Sequence, residues 1–214
     1  MRRVLFIFIL LVHFIVSYSQ NSDYKNSLFH GGIRAGITAS QISGDDLGGF
    51  HKLGGYTGVF VNVPLEPKRN WYVQAEINFI MKGSSSYTRG NRDDVPTNYY
   101  KLNLFYIETP LIAKYCFSKI LKGVQIEFGP TLNFLAGYTE KGFDYSSIKE
   151  QRRAFRIVEL AGLIGVSYFF KEHWGINFRF TNSIIPVRIP NWGVNRGLPL
   201  QFNTVMAINM FYQF

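Results

Sequence analysis

The chain has 214 residues, of which 47% are hydrophobic and 17% aromatic, and its 23 basic and 14 acidic residues give a formal net charge of +9. This length predicts a single folded domain. The one cysteine, Cys116, excludes an internal disulfide.

The first residues have the features of a secretory signal peptide. Two arginines precede an apolar run over 4–16, and a pattern of small residues then predicts cleavage after Ser19. The apolar run, about 13 residues, is shorter than the roughly 20 that a membrane-spanning helix needs. The alternative is a retained amphipathic anchor. We predict a signal peptide at 1–19 and an exported domain at 20–214.

Beyond the signal, period-two alternation of apolar and polar residues predicts eight strands and no long amphipathic helix. The predicted strands are 29–42, 53–64, 71–82, 99–117, 124–138, 155–170, 174–184 and 200–214. The connections alternate between short ones (65–70, 118–123 and 171–173) and long ones (43–52, 83–98, 139–154 and 185–199). All long loops therefore lie at one end and all turns at the other, an arrangement typical of bacterial outer-membrane barrels.

The two faces of the predicted strands indicate which side meets lipid, a question that alternation alone leaves open because a soluble lipocalin-like barrel alternates too. The polar face carries mostly small or amide residues and almost no lysine, unlike a normal water-facing surface. In three strands its members are Gln74, Glu76 and Asn78; Gln125, Glu127, Thr131 and Asn133; and Asn177, Arg179 and Thr181. The opposite face there holds Val73, Ile77 and Phe79; Ile126, Phe128, Leu132 and Phe134; and Ile176, Phe178 and Phe180. An eight-stranded lumen is too narrow for so many aromatics, so we predict that they face lipid.

The last predicted strand supports this orientation. Apolar residues follow one of its faces, broken only by Thr204, and the strand ends on Phe214, as the closing strand of an outer-membrane barrel does at the lipid boundary. Aromatics at the strand ends predict two interfacial girdles. The girdle near the turns comprises Trp71, Tyr72, Tyr115, Phe117, Phe169, Phe170, Trp174, Tyr212 and Phe214, and the girdle near the loops comprises Tyr87, Tyr99, Tyr100, Tyr138 and Phe155. We predict an all-β fold, an eight-stranded antiparallel up-and-down transmembrane β-barrel with long loops outside and short periplasmic turns.

Such a barrel leaves no channel of porin width, so its inward residues must pack and pair with one another. The residues predicted to form an interior ion-pair network are Arg34, Glu76, Glu108, Lys114, Glu127, Glu159 and Arg179. Arg34, Glu76, Glu127 and Arg179 fall at similar depth and predict one layer, since an unpaired buried carboxylate costs several kcal/mol. The network is interpreted as a structural plug of the lumen; the alternative is a gated ion or proton path.

No catalytic, metal or cofactor motif of the CxxC, HExxH, GxxxxGK or GxSxG type is present, so we predict a protein that is not an enzyme and holds no metal or cofactor. The enzymatic alternative is a rim site built from loop carboxylates and a histidine, which could activate water or bind calcium. Its candidate residues are Asp45, Asp46, His51, Asp93 and Asp94. Aspartates in such Gly- and Asn-rich segments form Asx-turns far more often.

Several segments resemble the PorT-like family of small outer-membrane β-barrel proteins. These are GIRAGITASQISGDD at 32–46, YVQAEINFIMKGSS at 72–85, YIETPLIAKYCF at 106–117, EFGPTLNFL at 127–135 and the terminal YQF. The resemblance covers nearly all of the exported domain and implies an outer-membrane location. The name-giving member is linked to type IX protein secretion and gliding, so the resemblance also implies a secretion or assembly role, and it brings no catalytic residues.

The basic excess and the predicted location indicate anionic partners. For an exported barrel these are outer-membrane lipid and lipopolysaccharide phosphates, and not nucleic acid. The charged stretch 141–156 could contact lipopolysaccharide or a partner protein, or could be a solvated loop. We expect a structural or accessory subunit of an envelope complex, with other outer-membrane proteins as partners. The alternatives are a narrow pore for ions or small solutes and a rim-sited hydrolase.

Overall fold

The computed structural model describes residues 29–45, 49–65, 70–87, 99–117, 121–142, 153–191 and 198–214. The predicted signal peptide lies outside these ranges. Within them, no helix has the length and apolar character needed to cross a bilayer.

Eight antiparallel strands form a closed barrel in which each strand pairs with its neighbours in the chain and β8 pairs with β1. They are β1 His30–Ser43, β2 Lys52–Pro64, β3 Trp71–Tyr87, β4 Tyr99–Cys116, β5 Val124–Gly142, β6 Val158–Phe169, β7 Trp174–Ser183 and β8 Phe202–Gln213. The predicted fold class is confirmed. Three boundaries differ most from prediction: β3 continues five residues past 82, β5 continues four residues past 138, and β6 begins at 158 where we predicted 155.

Apolar side chains cover the outside of the barrel. Phe128, Phe178 and Met210, on three different strands, are 47%, 45% and 49% exposed. The inward positions of the same strands are buried and mostly polar, including Asn133, Asn177 and Asn209. A water-soluble barrel would bury the first set and expose the second. The wall therefore faces lipid, as the sequence predicts.

Aromatic rings are clustered on the wall near the turns. Trp71 packs against Tyr115 with ring centroids 5.0 Å apart, and Trp174 packs against Tyr212 at 4.9 Å. Tyr212 also meets the terminal Phe214 at 5.5 Å. This part of the predicted girdle has the amphipathic rings that favour a membrane interface.

Four predicted girdle residues do not face lipid, and one of them, Tyr100, packs against the apolar side chains inside the outer mouth. Tyr72 and Phe169 occupy inward positions of β3 and β6, and the Phe169 ring packs on Phe211 inside the barrel at 4.9 Å. Phe155 is only 6% exposed and lies among the apolar side chains at the outer mouth. The girdle prediction was wrong for these residues because aromatic rings also close the two ends of the lumen.

Beyond the outer end of the other strands, β3, β4 and β5 continue as a three-stranded extension. β3 pairs with β4 as far as Tyr87, but its pairing with β2 ends at Ile80. Opposite the step from Phe105 to Tyr106, β5 contains a bulge in which Ala136 is the extra residue. Because a bulge shifts the period-two alternation by one residue, it changes which later β5 residues face outward.

Candidate functional site in the barrel lumen

Five charged side chains form a layer across the lumen toward the turns, which we call the turn-side ion layer: Arg34, Glu76, Lys114, Glu127 and Arg179. Arg179 lies at its centre and contacts both carboxylates, Glu76 at 2.7 Å and Glu127 at 2.5 Å. Arg34 lies 3.2 Å from Glu76, and Lys114 lies 3.4 Å from Glu127. None of the five is more than 4% exposed. The four residues predicted at similar depth thus meet in one network, which Lys114 joins.

Neutral groups add hydrogen bonds to this layer. The Arg179 guanidinium donates to both oxygens of Glu76 at 2.7 Å and to the Tyr56 hydroxyl at 2.8 Å. The Asn177 amide donates to Glu127 at 2.9 Å, and the Gln74 amide donates to Glu76. A planar guanidinium that binds one carboxylate through two parallel bonds fixes the relative position of β3 and β7 across the lumen.

A second group of charges, the outer ion layer, lies farther from the turns and consists of Lys82, Glu108 and Glu159. The Lys82 ammonium is 3.5 Å from Glu108 and 3.3 Å from Glu159. All three side chains are at most 2% exposed. The Ser183 hydroxyl donates to Glu159 at 2.5 Å. The two remaining predicted site residues, Glu108 and Glu159, therefore meet here and not in the turn-side layer.

The charges of the two layers cancel. The turn-side layer has three cations and two carboxylates, and the outer layer has one cation and two carboxylates, so the eight groups sum to zero. A buried charge is tolerated when it is paired and hydrogen-bonded. The formal net charge of +9 therefore resides outside these layers.

Aromatic rings close the lumen on the turn side. Phe60 and Phe211 meet edge to face at 6.1 Å, and Phe169 packs on Phe211. The Arg34 guanidinium lies 4.8 Å from the centre of the Phe60 ring, which places a cation over its π-face. Gly32 makes room for Phe60, because a Cβ there would lie 2.2 Å from the ring.

Apolar side chains fill the lumen on the loop side. This group, the outer apolar cluster, contains Ile42, Tyr56, Ile80, Leu102, Leu104, Tyr106, Phe155, Val187 and Val205. Two of its members come from connections and not from strands: Phe155 precedes β6, and Val187 follows β7. Backbone bonds hold these connections together, from Arg156 N–H to the Val187 carbonyl and from Val187 N–H to the Gln201 carbonyl, both 2.8 Å.

A buried ion pair fastens the same connections to the barrel. Arg188 lies 2.8 Å from Glu140 of β5, and the Tyr100 hydroxyl donates to the same carboxylate at 2.6 Å. The Arg188 guanidinium also donates to the Arg153 carbonyl and stacks 4.5 Å from the Phe155 ring. These contacts join 153–157 and 185–191 into a cover on the outer mouth.

The proposed rim carboxylates do not form a described site. Asp45 and His51 lie within the described part of the chain, whereas Asp46, Asp93 and Asp94 lie outside it. The His51 side chain is exposed, and its backbone N–H bonds to the Gly49 carbonyl. Among the residues with described positions, no group of three or more metal-binding side chains is assembled.

The sequence prediction missed Lys82 and Arg188. Lys82 was taken as the end of its strand, although the alternation from Glu76 through Asn78 and Ile80 places it inward. Arg188 lies in a connection, where no periodicity indicates direction. The sequence offers one indirect sign that Arg188 is buried. Glu140 faces inward after the β5 bulge and needs a cation as its partner.

A closed eight-stranded barrel with an apolar outer wall and a polar, filled lumen is an integral protein of the bacterial outer membrane. The chain belongs to the outer membrane protein beta-barrel domain family, whose profile matches residues 18–188. Among proteins of curated function, none matches the chain in sequence.

Solved structures of other small outer-membrane barrels are similar over most of their length. They include Ail, the attachment invasion locus protein of Yersinia pestis, with 12% identity, 88% of this chain and 100% of that one covered, and a TM-score of 0.43. Neisserial surface protein A has 13% identity, coverage of 88% and 98%, and a TM-score of 0.46. OprG from Pseudomonas aeruginosa has 15% identity, coverage of 86% and 95%, and a TM-score of 0.43.

Proposed function

We propose that this outer-membrane barrel is a non-enzymatic, non-conducting protein that serves as a structural or accessory subunit of an envelope complex for protein secretion or outer-membrane assembly. The observation that carries the proposal is the occupation of the lumen along its length by four groups of side chains. From the turn side these begin with the ring group and the turn-side ion layer, and farther out the outer ion layer and the outer apolar cluster overlap in depth.

The filled lumen opposes conduction in two ways. An ion entering from the turn side would have to break charge-assisted bonds of Arg179 that are 2.5–2.7 Å long. An ion entering from the loop side would meet the outer apolar cluster, where it would lose its hydration shell without gaining polar partners. The lumen side chains therefore support a stabilising role.

The subunit role rests on the PorT-like resemblance and on the outer rim. The resemblance favours protein secretion or assembly. Exposed basic side chains at the loop end offer polar contacts to a partner. A partner that packs on the lipid-facing wall gains little hydrophobic energy over lipid, so the polar rim contributes the distinguishing contacts.

Two measurements test the proposal. In planar bilayers, the purified protein should produce no regular single-channel steps, and unitary currents in the unmodified protein would refute the non-conducting role. The tagged protein, extracted in mild detergent, should recover the same outer-membrane proteins in repeated preparations. An extraction control is a tagged, unrelated small barrel expressed at equal level. Recovery of the same proteins by both baits would argue against a subunit role.

A narrow pore is the second candidate, and it is favoured by the polar lining of the lumen between Asn177 and Glu159. Conduction would then require the outer apolar cluster to open. The double variant Phe155→Ala/Val187→Ala removes both connection residues from that cluster. Currents in this variant, absent from the wild type, would support a gated pore, whereas a silent variant supports the plug because the two ion layers remain.

A further inference from the structure

Two exposed lysines face each other on the outer wall of the three-stranded extension. Lys101 of β4 is the register partner of Lys141 of β5, and both side chains are exposed. Directly opposed residues of antiparallel strands have Cβ atoms about 4.5–5.5 Å apart, close enough for two ammonium groups to share one ligand.

The β5 bulge creates this pair. If β5 alternated without a bulge, Lys141 would lie on the same face as Glu127 and Asn133 and would point into the lumen. The bulge instead sends Glu140 inward, where it binds Arg188, and sends Lys141 outward, opposite Lys101. Because of this shift, Glu140 faces the lumen while Lys101 and Lys141 face outward.

The lysines lie just above the apolar band of the wall. Below them on the same face come Asn103 and Thr139, joined by a 2.7 Å hydrogen bond, and then Phe105, which stacks on Phe79 at 6.3 Å. Lys101 is four residues beyond Phe105, which is about 10 Å along the axis of a tilted barrel. We therefore expect the two lysines at the level of the outer-leaflet headgroups.

Nothing described on the protein neutralises these two charges. No carboxylate among the described residues lies within ion-pair distance of Lys101 or Lys141, because the nearby Glu140 is buried and held by Arg188. Like charges directly opposed across a strand pair destabilise each other. A phosphate between them would turn this repulsion into two charge-assisted hydrogen bonds.

We propose that Lys101 and Lys141 bind a phosphate group of a phosphorylated glycolipid in the outer leaflet, with Asn103 and Thr139 below them contacting its sugar and the apolar wall around Phe105 contacting its acyl chains. This inference goes beyond the proposed function and does not depend on it. Such a site fixes the lipid at one side of the barrel, below the extension.

The test compares two double variants with the unmodified protein. Lys101→Gln/Lys141→Gln removes the proposed site, and Arg153→Gln/Arg156→Gln removes two exposed cations at the same end of the barrel. Binding of fluorescently labelled bisphosphorylated lipid A is measured by anisotropy in zwitterionic micelles, with dephosphorylated lipid A as a second probe. Because all four side chains are exposed, each variant should fold, which circular dichroism verifies.

The lysine variant should bind bisphosphorylated lipid A about twenty-five-fold more weakly, from roughly a five-fold contribution per lysine near a charged surface. The arginine variant should stay within about two-fold, and dephosphorylated lipid A should bind all three proteins equally. Equal weakening in both variants would show general attraction and overturn the site. Inorganic phosphate that competed as well as the lipid, at equal concentration, would also overturn it, because the glycolipid would then contribute nothing beyond its anion.

Discussion

Replacing Lys82 with Met is the sharpest test of the lumen as a stabilising network. Lys82 is the only cation within 3.5 Å of Glu108 and Glu159 among the described residues. Met keeps most of the volume but leaves two buried carboxylates without a counter-charge. Breaking a buried pair by removing one partner costs about 3–5 kcal/mol. The two pairs share one ammonium and are not additive, so we expect a loss of about 4 kcal/mol.

Urea unfolding in detergent micelles, followed by tryptophan fluorescence, measures this loss. With a slope of about 2 kcal/mol per molar urea, the midpoint should fall by about 2 M. The triple variant Lys82→Met/Glu108→Gln/Glu159→Gln removes the uncompensated charges and should regain at least half of the lost stability. Lys122→Met, on an exposed turn, should stay within about 0.5 kcal/mol of the wild type. A triple variant no more stable than the single one would refute the argument from unpaired charge.

The remaining predictions concern the plug, the mouth and the wall. Glu127→Ala leaves Lys114 without its carboxylate and should lower the melting temperature while planar bilayers stay silent; a large new current would contradict the plug. Phe155→Ala should cost about 3 kcal/mol by urea unfolding because it empties part of the outer apolar cluster, and no change would show that the cover does not pack as described. Ile164→Lys, on the lipid-facing wall, should cost about 2–4 kcal/mol in lipid bilayers, and unchanged stability would place this residue in water.

The sequence predicts the barrel well because each strand repeats the same physical constraint. Because one face of each strand meets lipid and the other meets the packed lumen, apolar and polar residues alternate along it. The number of strands and the face that each residue occupies therefore follow from this alternation. The central residues Glu76, Glu127 and Arg179 were predicted at one depth because they lie at similar distances from short turns, and they meet in the structure.

The two ends of the barrel were harder to predict, since local alternation stops carrying information there. Phe155 and Arg188 take their directions from tertiary contacts between connections. The bulge at Ala136 reverses the facing of Glu140 and Lys141, and the adjacent Gly137 indicates an irregular strand without fixing which residue is extra. The inward ring of Phe60 also needs the space left by Gly32 on the neighbouring strand. The alternation within a single strand does not reveal this contact.

The zero sum of charge across the two ion layers has an evolutionary corollary. A lineage that loses one of these eight groups is left with an unbalanced charge in the buried lumen, and only a matching change elsewhere in the lumen restores neutrality. Lumen positions should therefore drift in correlated sets, whereas lipid-facing positions such as Ile164 can exchange one aliphatic residue for another independently.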